Sequence, residues 1–287
     1  MNERIERRTA RILIALSAEV DTRVSLDFYR YLLGDAPPTI VGLLVENPRL
    51  IAHARSALAR EIVLSGIERR LEPESLERQL RARWAELRRL FDRESARLGI
   101  DAELELVREE PRTALAKAAE RADALVVERD AAAEALELWS SRTRPAALRA
   151  LLLAPPRWPA IGEIVVLADP AALGADSAAS GASEIGTALR LARRTDAPLT
   201  VLLVGAAADE DTSARLARIA RQAGVRLAGV IPLRSATLDA LADAARHASV
   251  LILPSGTAPE IAAPLATRLR GATLLWRSAA APDSPRE

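Results

Sequence analysis

Short, uninterrupted apolar runs recur along this chain, each followed by a stretch of helical period, and the whole alternation occurs twice. In the first half the runs are Arg11–Ser17, Thr39–Glu46, Ala124–Glu128 and Arg149–Ala154, with Asp101–Val107 alternating polar and apolar residues. In the second half they fall near Glu163–Asp169, Leu199–Val204, Val225–Ile231, Val250–Leu253 and Ala272–Trp276. An apolar run without alternation suits a strand covered on both faces, and a strictly alternating one suits a half-exposed strand at a sheet edge. Helical stretches lie between them, at Ser25–Leu33, Glu74–Leu98, Arg112–Arg121 and Ala131–Ser140, then at Ser183–Arg194, Thr212–Gln222, Thr237–His247 and Pro259–Arg268. Parallel strands joined through helices cross over right-handed. The expected fold is therefore α/β, with two doubly wound parallel five-stranded sheets flanked by helices.

The repeat sets the expected domains. Ala154-Pro-Pro-Arg-Trp-Pro159 cannot continue a helix or a central strand and reads as a stiff linker. Charge changes at the same point: residues 1–156 carry 26 basic and 26 acidic groups, residues 157–287 only 14 and 13. Domains of 1–156 and 157–287 follow. Aligning Ile12 with Ile164 and Leu125 with Val250 makes the first copy longer by 27 residues, which we place at 47–71. That insertion is expected to be helical, with Leu50, Ile51, Ala54, Leu58, Ile62 and Ile67 as an apolar stripe opposite Arg55, Arg60, Arg69 and Arg70. The stripe must pack on its own domain, on the other domain or on a partner chain. In Glu74–Leu98, the residues Leu76, Leu80, Trp84, Leu87, Phe91 and Leu98 recur at helical spacing, Pro73 suits the first turn, and Gly99 suits the stop.

Composition removes several classes of chemistry. The chain has no cysteine, so a disulfide framework, a thiolate metal site and a cysteine nucleophile are all excluded. Forty basic side chains against 39 acidic ones argue against a general nucleic-acid binder. The longest uncharged runs are too short to cross a bilayer, and Met1–Arg8 lacks the apolar core of a signal peptide, so the expected compartment is the cytoplasm, with no membrane insertion. Lys117 is the single lysine, and no Walker loop, G-x-S-x-G elbow or S-x-x-K is present. His53 and His247 are the only histidines; each is expected on a helix, and neither has a second histidine for a metal.

Several segments together resemble the universal stress protein family in tandem form. They are Ile12-Leu-Ile-Ala-Leu-Ser17 and Ile164-Val-Val-Leu-Ala-Asp169, the helix-to-strand phrase Ala188–Val204, the segment Ala217–Pro254, and Gly42-Leu-Leu-Val-Glu-Asn-Pro-Arg-Leu50. The resemblance implies the adenine-nucleotide-alpha-hydrolase-like fold and two domains paired as an intramolecular pseudo-dimer. Family members that bind ATP use an Asp at the end of the first strand and a G-x-x-G-x9-G-[ST] segment after the fourth, whose backbone N–H groups wrap the phosphates. This chain departs from that pattern in both copies. The first has Ser17 at the Asp position and no glycine after its fourth strand, where Glu128 and Asp130 stand instead. The second keeps Asp169 and Gly256 but has Pro259 where the next glycine belongs.

The remaining candidate ligand residues are Asp169, Ser255, Gly256 and Thr257, at the strand ends where doubly wound sheets bind ligands. The competing reading makes Asp169-Pro170 a turn and Ser255 and Thr257 caps of the next helix. Residues 174–183 could fold over the crevice, or form a surface loop ending in a cap at Ser183. No catalytic residue, metal ligand or cofactor is expected. The resulting expectation is a non-catalytic universal-stress-like protein with a degenerate nucleotide site, acting through a protein partner or self-association in stress response or regulation. The alternatives are ATP, AMP or another small molecule bound in the second domain and, by fold analogy only, an adenine nucleotide hydrolase.

Overall fold

The computed structural model describes residues 9–17, 26–34, 36–56, 58–62, 66, 68–155, 161–168, 183–205 and 210–277. The first half contributes β1 (Arg11–Ser17), α1 (Leu26–Tyr29), β2 (Thr39–Val45), α2 (Pro48–Ala54), β3 (Arg60–Ile62), β4 (Glu68–Arg70) and α3 (Pro73–Leu98). It continues with β5 (Ala102–Val107), α4 (Pro111–Arg121), β6 (Ala124–Glu128), α5 (Ala132–Ser140) and β7 (Ala150–Ala154). The second half supplies β8 (Glu163–Ala168), α6 (Glu184–Thr195), β9 (Leu199–Val204), α7 (Glu210–Gln222) and β10 (Leu227–Leu233). It ends with α8 (Leu238–Ala244), β11 (Ala248–Pro254), α9 (Pro259–Arg268) and β12 (Ala272–Trp276).

Ten of these strands make one sheet, in the order β10-β9-β8-β11-β12-β7-β6-β1-β2-β5. Each half is a parallel five-stranded sheet whose first strand is central, and the order within the two halves is the same. The two sheets are joined edge to edge. At the junction β12 runs antiparallel to β7, with Thr273 opposite Leu153 and Trp276 opposite Ala150. The expected pair of sheets is thus present, fused through the last strand of each copy.

Period-two patterning gives each face its own core. Ile12, Ile14 and Leu16 of β1 point to the face covered by α1, α3, α6 and α7, where they share a core with Phe91, Ile185, Leu216 and Trp276. Leu13 points to the opposite face, covered by α4, α5, α8 and α9, with Leu115, Trp139, Leu241 and Leu265. Both cores run through both halves. The α3 helix forms as its spacing predicts: Leu76, Leu80, Leu87 and Phe91 are buried, Pro73 begins the first turn, and Gly99 ends it at φ +61°.

Register refines the alignment of the copies. Ile12 sits beside Ala124, 112 positions on, and Ile164 beside Val250, 86 positions on, so the excess is 26 residues, one fewer than the apolar runs suggested. Over that insertion the expected continuous helix is not what forms. Among its described residues only Pro48–Ala54 is helical, and Arg60–Ile62 and Glu68–Arg70 then pair as an antiparallel hairpin. Gly66, in the hairpin loop, takes φ +77°, a conformation no right-handed helix contains, and Glu61 is ion-paired across the strands with Arg69.

The expected apolar stripe is accordingly split. Leu50 and Ile51 pack with Ala54, Ala59, Leu71, Leu76 and Leu80 in a small core of their own domain, whereas Leu58 and Ile62 are 84% and 78% exposed. Ile67 lies outside the described residues. Replacing Leu58 and Ile62 together by serine is expected to leave stability within about 0.5 kcal/mol per site, since neither loses packing. A urea midpoint equal to that of the parent protein is the check.

Candidate functional site

In a doubly wound sheet the ligand crevice opens at the carboxyl ends of the strands where the order reverses. Here that point lies between β1 and β6 in the first half and between β8 and β11 in the second. The local chemistry of the two differs.

The first crevice is a cavity of about 260 Å³, floored by Ala15 and Leu16 of β1 and Val45 of β2, with Leu115 of α4 on one wall. Its polar lining is Asn47, Glu128, Asp130 and Glu134. Each is placed by a local rule. Glu128 is the last residue of β6 and is buried. Asp130 lies in the 3-10 turn Arg129–Ala131 that leads into α5, and Glu134 lies one helical turn further on. The amide oxygen of Asn47 caps α2 by accepting from the Arg49 N–H at 3.0 Å. The Ala131 N–H, which a phosphate would need, donates instead to the Asp130 carboxylate at 3.2 Å. Beside the crevice, buried Glu46 accepts from Arg108 Nε at 2.8 Å. The sequence marks Glu128 and Asp130 here, and the structure brings them together with Glu134. Sequence reasoning misses that third carboxylate, although its four-residue spacing from Asp130 is a readable sign. Three carboxylates facing one cavity repel a triphosphate.

In the second half, β11 ends at Pro254 and the chain turns through Ser255, Gly256 and Thr257 before α9. The turn is closed on itself. The Thr257 N–H donates to the Pro254 carbonyl at 3.0 Å, and the Ser255 carbonyl accepts from Trp139 Nε1 of the first half at 3.3 Å. A Cβ on Gly256 would meet nothing within 4 Å, and its φ lies outside the left-handed region, so neither space nor strain requires glycine there. The competing reading, in which Ser255 and Thr257 cap the next helix, is not what forms: the N-cap of α9 is Ala258, with no side-chain hydrogen bond. Asp169, like residues 174–182, lies outside the described residues. Ser183 does cap its helix, its Oγ accepting from the Gly186 N–H at 3.0 Å. At the first position of α6, burial raises the carboxyl of Glu184 above its ordinary range.

Both histidines are exposed, His53 in the last turn of α2 and His247 between α8 and β11, where its Nε2 accepts from Arg246 Nε at 3.1 Å. Among the described residues, no group of three or more His, Asp or Glu side chains is arranged to hold a metal ion. Among the same residues, no helix is long and apolar enough to cross a membrane.

No family model and no curated protein matches the sequence. Solved structures do match the fold. A universal stress protein from Archaeoglobus fulgidus superposes with a TM-score of 0.55 at 12% identity, covering 94% of this chain and 97% of its own. One from Pseudomonas aeruginosa, described as putative, gives 0.54 at 14% identity, covering 94% of each chain. The cytoplasmic domain of a prokaryotic cation chloride cotransporter gives 0.54 at 14% identity, covering 94% of this chain and 96% of its own. At such identities the likeness is one of backbone architecture, and it extends over nearly all of the chain. The chain has the universal stress protein fold, its two five-stranded copies fused through β7 and β12.

Proposed function

We propose that this is a non-catalytic universal-stress-like protein that works in the cytoplasm through contacts with a protein partner or a second copy, in stress response or regulation. One observation carries the reading: the first strand-end crevice is lined by acids, and one of the backbone donors of the second is already bonded within its own turn. Carboxylates line the first, and the second is a turn whose Thr257 N–H is spent on the Pro254 carbonyl.

Equilibrium dialysis against ATP, ADP and AMP tests this. No saturable binding is expected below about 1 mM, where the interaction is worth only about 4 kcal/mol. Micromolar binding that disappears in Asp169→Ala would instead establish a nucleotide site in the second half. Release of phosphate or adenylate on incubation would establish a hydrolase. Contact formation itself is read by cross-linking the parent protein and the Leu58→Ser, Ile62→Ser double variant, a gentler change than deleting residues 47–71, which would strip Ala54, Ala59 and Leu71 from their core.

A further inference from the structure

The hairpin of the insertion turns one face away from its own domain. Antiparallel pairing sets Arg60 opposite Arg70 and Ile62 opposite Glu68. The Leu71 N–H extends the ladder by one step, donating to the Ala59 carbonyl at 3.1 Å, and both of these residues are buried in the small core with Leu76 and Leu80. Side chains alternate along a strand, so the inward side marked by Ala59 and Leu71 puts Arg60, Ile62, Glu68 and Arg70 together on the other side. All four are exposed. Ile62 is 78% exposed and Leu58, the residue before Ala59, 84%.

Charge distinguishes this face from an ordinary exposed one. Arg60 and Arg70 are directly opposed, and like charges so placed destabilise a strand pair, while Glu68 stands opposite Ile62 and not opposite either arginine. The segment as a whole is one-sided too: residues 47–71 hold five arginines against Glu61 and Glu68, a net charge of +3 in a chain whose total is +1. Of the two acids, Glu61 is already engaged by Arg69 on the other side of the hairpin.

We propose that this hairpin face docks on an anionic lipid surface. Leu58 and Ile62 supply apolar side chains for the boundary between headgroups and acyl chains, and Arg60 and Arg70 supply guanidinium forks for the headgroup phosphates, their aliphatic stems lying along the same boundary. An anionic surface also answers the opposed arginines, which a neutral one does not. A protein partner fits less well: a stable protein interface takes about 20–30 residues a side, and Leu58 to Arg70 are only 13. A lipid surface sets no such minimum, because each apolar side chain and each basic group adds its own attraction. The hairpin lies on the surface and spans nothing.

Co-sedimentation with phosphatidylcholine vesicles, with and without about 30% phosphatidylserine and at roughly 0.1 M sodium chloride, is the test. The expected result is partitioning onto the anionic vesicles that exceeds that onto the neutral ones and weakens steeply as salt is raised to about 0.5 M. Arg60→Gln and Arg70→Gln should each lower it about fivefold. The Leu58→Ser, Ile62→Ser variant should bring it down to the level of neutral vesicles. Arg97→Gln removes the same charge from the last turn of α3, where Arg97 is ion-paired with Glu94, and should leave it unchanged. The urea midpoint of each variant checks that it is folded. Equal partitioning onto both vesicle types, its absence from both, or partitioning that survives the serine and arginine variants alike overturns the proposal. Sedimentation velocity without lipid is the second arm: a concentration-dependent dimer that the serine variant loses, with no vesicle binding, assigns the face to a second copy instead. Nucleotide dialysis does not involve this face, so failure here leaves that test of the proposed function standing.

Discussion

Gly271→Ala should cost about 3 kcal/mol and lower Tm by about 6–12 °C, the upper end of what a single added methyl does in a packed interior. A Cβ at this position would lie 2.3 Å from the carbonyl oxygens of both Ala248 and Ser249, and 2.5 Å from the Ser249 carbonyl carbon. Those are backbone atoms of the neighbouring strand, so no rotamer change makes room; β12 would have to move off β11. The Gly271 carbonyl is also engaged, accepting from Arg129 Nη2 of the first half at 2.6 Å. Gly42 is the comparison. A Cβ there would meet Phe91 Cζ at 2.5 Å and Leu104 Cδ1 at 2.7 Å, which are side chains able to shift, so Gly42→Ala should cost less, about 1–2 kcal/mol. Urea unfolding of both variants checks the order, and a Gly271→Ala midpoint equal to that of the parent would contradict so close an approach of the two strands.

Trp276→Ala should cost about 3–5 kcal/mol. The side chain is fully buried, and its strand position is bracketed by Ala150 on one side and Pro254 on the other. Arg149 and Arg190 lie over its ring at 5.3 and 5.8 Å, so truncation removes their stacking surface together with the apolar volume. Arg190 also donates to the Leu32 carbonyl of the first half at 3.3 Å, which makes Trp276 a support for a contact between copies. Trp276→Phe keeps most of the volume and should recover more than half of the loss. A cost below about 1 kcal/mol for the alanine variant would mean that the seam is not packed as a core.

The parts of the fold readable in the sequence are those governed by local pattern. Unbroken apolar runs give the central strands, the alternation of Asp101–Val107 marks β5 as an edge, and Pro73, Gly99 and Ser183 mark helix ends where they are found. What cannot be read is decided by pairing between distant segments. Nothing near Ala150 or Trp276 announces that their strands meet antiparallel, because a strand buried on both faces looks the same whichever neighbour it takes. The insertion misleads for the opposite reason: its apolar residues do fall at helical spacing, but Gly66 and the Glu61–Arg69 pair favour a hairpin, and the helix ends at Ala54. In the first crevice the acidic residues are visible while their convergence on one cavity is not, since that depends on how α5 leaves β6. The loss of a free N–H at Thr257 is a turn geometry that composition does not encode.

Fusion through the last strand of each copy leaves the third strands, β5 and β10, as the two rims of the sheet. Each rim is blunted in its own way. Glu103 and Glu105 place charge along β5, with Glu105 bound to Arg11 and Arg121. The other rim breaks register between Leu227 and Gly229 and includes Pro232, which has no N–H to offer. A visiting strand would find a row of acids at one border and an interrupted ladder at the other. Both borders are therefore poor templates for a further strand, which turns lateral growth of the sheet away from its rims.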